Sequence, residues 1–174
     1  MKFKLLVKLL VVMLAATIPG VIATAPSSAI GTTTWTSPQW NKILKEAKGQ
    51  TVNWYMWGGS TVINDYVNDV IGGEAAKFGV KLNQVKLNAT ADAVNKVLGE
   101  KQAGNLTKGS VDMIWINGEN FLTGKQAKIW DCGWSTKLPN AKYVDWTSPA
   151  INLDFGLPVD GCEAPWARAT AALV

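Results

Sequence analysis

Histidine is absent from this 174-residue sequence. That excludes Ser-His and Cys-His hydrolysis and the usual zinc sites, all of which need imidazole. Arginine occurs once, at Arg168, and the lysines form no basic patch, so nucleic-acid binding is not expected. No apolar run reaches the roughly 20 residues of a membrane span. Cysteine occurs only at Cys132 and Cys162, so there is no lipidated N-terminal cysteine. Phosphate-loop and nucleophile-elbow patterns are missing, and no carboxylate pair is placed for acid–base work. The chain therefore reads as a non-enzyme with neither cofactor nor metal. Only 17% of residues are charged, yet 48% are hydrophobic, which excludes a disordered chain.

What the chain does contain begins with an export signal. Lys2, Lys4 and Lys8 precede an apolar stretch, Leu9 to Ile18, which Pro19-Gly20 ends. Small residues follow, and Pro26 disfavours cutting after Ala25, so residues 1–29 read as a signal peptide cleaved after Ala29. Removing the three leader lysines lowers the formal charge from +4 to +1. An exported protein with two cysteines is expected to join them, so Cys132–Cys162 is a candidate disulfide. The alternative is two unpaired buried thiols.

Residues 30–50 read as a lead-in with a short helix at Gln39 to Ala47, where Trp40, Ile43 and Leu44 share a face. Thr51 to Met56 predicts a strand, and Trp57-Gly58-Gly59-Ser60 a turn into a helix. That helix carries Ile63, Tyr66, Val67, Val70 and Ile71, and Gly72-Gly73 are expected to weaken or break it before Phe78. Val80 to Leu87 predicts a second strand and Asp92 to Gln102 a second helix. Val111 to Ile116 predicts a third strand, about which the chain can be arranged. Asn117 is its expected helix cap, with the helix running towards Trp130. The β-α-β-α-β-α order argues for an α/β domain with a mainly parallel sheet and helices on both faces. Beyond Trp130 the pattern turns irregular. A strand is expected within Asn152 to Leu157, then a turn-rich connector over Pro158 to Pro165.

In open α/β sheets, ligands meet the carboxyl ends of the strands. Two candidate sets sit there. Trp57, Gly58, Gly59 and Ser60 follow the first strand. Glycines admit a close ligand, and free amides at a helix start favour an anion. Trp57 can stack on a ring or cation, or simply pack in the core. Asn117, Glu119 and Asn120 follow the third strand and can hydrogen-bond a polar solute. Glu119 can pair with a cation or merely complement the helix dipole. The solute's charge stays open between these.

Several blocks resemble the extracellular solute-binding proteins (family 1) of ABC transporters, in the uncharacterised branch likened to thiamine and polyamine receptors. They are VNWYMWGG (52–59), TADAVNKVLGEKQAG (90–104), SVDMIWINGENF (110–121), LPNAKYVD (138–145) and GCEAPW (161–166). The resemblance implies the first lobe of a type II periplasmic-binding-protein fold over residues 51–174. Trp166 would then line the cleft at the hinge. It also implies a small-molecule solute, an ABC permease in the inner membrane as partner, and the periplasm as location. Family members continue into a second lobe, whereas this chain stops at Val174, so it reads as a truncated first lobe of a monomeric receptor. The alternative is an exported carbohydrate- or surface-binding module that presents tryptophans.

Overall fold

The computed structural model describes residues 35–167. The leader through Ala29, the start of the lead-in and Arg168 to Val174 lie outside the described residues. Helix α1 is Ser37–Ala47. Gln39 reaches back to accept from the Thr36 amide at 2.8 Å, which caps the helix start. Ile43 and Ala47 are buried, while Trp40 stacks on Trp35 with ring centres 6.2 Å apart.

Strand β1 is Thr51–Trp57. Its alternation buries Val52, Trp54 and Met56 on one face. The chain then runs through helix α2, Thr61–Asp65, a π-helical segment, Tyr66–Ile71, and helix α3, Gly72–Lys77. Gly72-Gly73 thus do not break the helix, against one of the two effects expected of them. Val67, Ile71 and Ala75 bury against Val52, Trp54 and Met56. That burial outweighs a glycine penalty of about 1 kcal/mol per residue.

Strand β2, Lys81–Leu87, pairs with β1 in parallel along its whole length. Helix α4, Thr90–Gln102, leads to strand β3, Met113–Ile114, which is also parallel to β1. The sheet order is β2-β1-β3. The central strand is therefore β1, not the third strand around which the sequence pattern arranges the chain. The first crossover moves from β1 out to β2, and the second returns past β1 to β3. Right-handed connections in opposite directions place the two helical layers on opposite faces.

β3 is much shorter than the predicted Val111 to Ile116. The Asp112 carboxylate takes the Asn53 amide at 2.9 Å, where a strand carbonyl would otherwise sit. Regular pairing therefore starts only at Met113. Helix α5, Gly118–Gln126, follows, and 3-10 turns cover Ser135–Lys137 and Pro139–Tyr143. Trp134, Leu138 and Ala141 form a second small core with Trp35, Trp40 and Trp146 against it.

Helix α6 is Pro149–Asn152. The strand predicted within Asn152 to Leu157 is instead a hairpin, β4 (Leu153–Asp154) antiparallel to β5 (Leu157–Pro158). Phe155 and Gly156 both have positive φ, which reverses the chain there. A Cys132–Cys162 disulfide ties this irregular region to the connector. The domain is a mixed α/β fold built on a three-stranded parallel sheet.

Candidate functional site

Both candidate sets sit at the same end of the sheet, because β1 and β3 run parallel. The turn after β1 is tightly built. The Gly58 amide donates to the Leu87 carbonyl at 3.0 Å, and the Gly58 carbonyl accepts from Asn64 Nδ2 at 2.9 Å. Asn64 is buried and its own Oδ1 accepts from Gln84 Nε2 at 2.8 Å. Neither glycine has a left-handed φ, so close packing is what requires them. A Cβ on Gly58 would come within 2.7 Å of Lys86 Cβ. One on Gly59 would overlap the Trp57 ring at 2.1 Å. The indole of Trp57 thus lies over Gly59, with 43% of the residue exposed. Ser60 caps α2, its Oγ accepting from the Ile63 amide at 3.4 Å.

After β3, Asn117 occupies the helix-cap position but makes no side-chain cap bond. Asp154 of the hairpin supplies that function instead, its Oδ2 accepting from the Gly118 amide at 2.7 Å. Gly118 has φ +59, a conformation that favours glycine. Glu119 is exposed on the first turn of α5, and Asn120 is half-buried.

A cavity of about 790 Å³ opens beside β3, bounded by α4, the hairpin and the Glu163-to-Ala167 connector. Asn117 and Trp166 line it. Trp57, Gly58, Gly59, Ser60, Glu119 and Asn120 do not. The structure therefore separates the candidates into an outer turn and a cavity wall. Trp166 packs edge-on to Trp54, ring centres 5.2 Å apart, and also meets Trp115 at 6.0 Å and Tyr66 at 6.2 Å. Trp54, Trp115 and Asp154 are cavity residues that sequence reasoning missed, whereas Glu163 lies in the Glu163-to-Trp166 segment that the family resemblance places at the cleft. Strand alternation places Trp115 on one face with Met113, and the β1–β3 register, which only the fold supplies, adds Trp54 to that face. Nothing local in the sequence marks Asp154.

Two cavity carboxylates are held above their ordinary range. Burial lifts Asp112, opposed by hydrogen bonds from Asn53, with the Glu100 charge adding to the lift. Burial pushes Glu163 up to about 8. The Asp154 charge adds to this and Lys125 opposes it. Glu163 is thus neutral in the folded protein at pH 7, whereas in the unfolded chain it ionises near 4.5. The folded state binds the extra proton between those values. Stability should fall as pH rises from about 5 and level off above about 8. One unit corresponds to about 1.4 kcal/mol. Discounted for partial exposure, the loss should be about 2 kcal/mol. Thermal melts of the protein and of Glu163→Gln from pH 5 to 9 would check this. The decline should flatten in the variant, and an equal slope in both would refute the assignment.

Among the described residues, no group of three or more Cys, Asp or Glu could hold a metal ion, and no helix is long and apolar enough to cross a membrane. No protein-family model and no solved structure matches the chain. Protein YnjB of Escherichia coli (strain K12) is 44% identical over 135 residues, which is 78% of this chain and 34% of the relative. The chain thus spans about a third of the length of the curated relative that it matches.

Proposed function

We propose that this chain belongs to an exported solute-binding component of an ABC importer, as the first lobe of its binding protein. It captures a small polar solute in the periplasm for delivery to an inner-membrane permease, without chemistry of its own. The observation that carries the reading is the shared location of the candidates. The glycine turn after β1 and Asn117 after β3 both lie at the carboxyl end of one parallel sheet, and Asn117 and Trp166 line the cavity there. Ligands enter open α/β sheets at that end. The disulfide suits an oxidising compartment. In this reading a second lobe closes over the solute, so affinity depends on both lobes touching it.

The alternative of a tryptophan-presenting surface module is less well supported. Of the nine tryptophans, all among the described residues, eight are buried or half-buried and Trp57 is 43% exposed. The test is intrinsic fluorescence of the secreted protein, joined to its second lobe, against a panel of amines, amino acids, sugars and organic acids. Saturable quenching by one class is expected. Trp166→Phe should weaken it at least about tenfold, the equivalent of 1.4 kcal/mol. A flat response to the whole panel would overturn the reading.

A further inference from the structure

Asn64 and Ser135 are the buried polar side chains among the described residues. Asn64 shares the inner face of its helix with Val67 and Ile71, which are both buried apolar core. Helical spacing calls for an apolar residue there, and exceptions to a packing pattern concentrate at functional sites. Side-chain amides form a relay at this point. Asn68 Nδ2 donates to Gln84 Oε1 at 3.1 Å, Gln84 Nε2 to Asn64 Oδ1 at 2.8 Å, and Asn64 Nδ2 to the Gly58 carbonyl at 2.9 Å. Gln84 Nε2 also donates to Met56 Sδ at 3.2 Å.

The relay is directional. Reversing the Asn64 amide would set its nitrogen against that of Gln84 and its oxygen against the Gly58 carbonyl, so the order of donors fixes its orientation. Such chains strengthen one another away from water. This one starts on the π-helical segment Tyr66–Ile71, a rare geometry that is frequent at functional sites. It ends on one carbonyl of the turn after β1. The Gly58–Gly59 peptide is trans, so its N–H points opposite to its C=O. With the carbonyl turned inward to Asn64, the Gly59 amide faces outward. Gly59 is exposed, and its amide makes no hydrogen bond among the described residues. The Trp57 indole lies against the same residue.

We propose that Asn64 is the positioning residue of this turn: it holds the Gly58–Gly59 peptide so that the Gly59 amide, beside the Trp57 indole, is presented to an acceptor oxygen of the solute. The peptide lies between two glycines, the residues least able to keep a backbone orientation by themselves, so a side chain from outside the turn has to supply it. Asn64 does not touch the solute. What meets the amide rests on the solute-binding reading; the hold of Asn64 on the peptide does not.

The test uses the full chain with glycine isotopically labelled at its carbonyl carbon and amide nitrogen. Only Gly59 and Gly73 follow a glycine, so a carbonyl–amide correlation spectrum shows one peak from each pair. Asn64→Leu should move the Gly58–Gly59 peak and leave Gly72–Gly73, in the same helical run, in place. Gln84→Met breaks the relay one link earlier at a half-buried position, should move the same peak less, and decides the matter if Asn64→Leu does not fold. Val67→Ala loosens the same helix without touching the relay and should leave the Gly58–Gly59 peak where it is. Amines, amino acids, sugars and organic acids are then added singly. The one that quenches tryptophan fluorescence should shift the Gly59 peak, and Asn64→Leu should weaken it at least about tenfold more than Val67→Ala does. The proposal is overturned if the Gly58–Gly59 peak ignores the relay variants, if both glycine pairs move together, or if a quenching solute leaves Gly59 unmoved. Quenching by none of them, with the peak still moved by Asn64→Leu, would remove the solute reading alone.

Discussion

Reducing the Cys132–Cys162 bond should cost about 3–4 kcal/mol of stability and lower the melting temperature by roughly 10 °C. The bond joins residues 30 apart in sequence. Closing a loop of that length removes about that much chain entropy from the unfolded state. The loop it closes has little regular structure of its own. It contains the small core of Trp134, Leu138 and Ala141, with short 3-10 turns in place of long helices. Its two ends are zipped by long backbone bonds, Trp134 to Gly161 at 3.3 Å and Ser135 to Gly161 at 3.4 Å. A Cβ on Gly161 would come within 3.0 Å of Gly133 Cα, so this close approach of the backbones needs glycine at 161. Thermal unfolding with and without a phosphine reductant, alongside Cys132→Ser/Cys162→Ser, measures the effect. Unchanged melting in both would show that the loop is held by other contacts.

Phe121→Ala should be as damaging, at about 3–5 kcal/mol. Phe121 is 1% exposed on the inner side of α5. Its ring stacks parallel to Trp130 at 6.4 Å, and the Trp130 indole donates back to the Phe121 carbonyl at 2.9 Å. The indole also lies flat over Gly124, where a Cβ would sit 1.9 Å from the ring. Truncating Phe121 removes one side of this stack, and the remaining ring, pinned by its hydrogen bond, cannot collapse into the space. Phe121→Leu, which retains most of the volume, should lose much less, about 1–1.5 kcal/mol. Urea unfolding gives both values. A loss below about 1 kcal/mol for the alanine variant would mean that the site repacks.

Much of the layout was legible because local chemistry acts on local sequence. The alternation of TVNWYMW marks β1 and its buried face, and the two cysteines, in a chain expected to be exported, mark the disulfide. The helical spacing of Val67 and Ile71 was right, and of the two effects expected at Gly72-Gly73, a weakened or a broken helix, the break does not occur. Packing of Ala75 against the sheet carries the helix through. Part of the candidate site was also legible. Ser60 caps a helix start and Asn117 stands at one, as their residue types suggest. The role of Asn117 was misread because the real cap, Asp154, lies 36 residues beyond Gly118, whose amide it takes.

The sequence alone therefore determines the element order, the α/β class and the cysteine pair, since periodicity, turn residues and composition act over short stretches of chain. Only the tertiary structure decides that β1 is the central strand and that Asp112 spends its carboxylate on Asn53. It alone brings Trp54, Trp115 and Trp166 together and places Glu163 beside Asp154. Each of these is a meeting of residues distant in sequence. Such meetings depend on how the elements pack, and packing leaves no local trace in the chain.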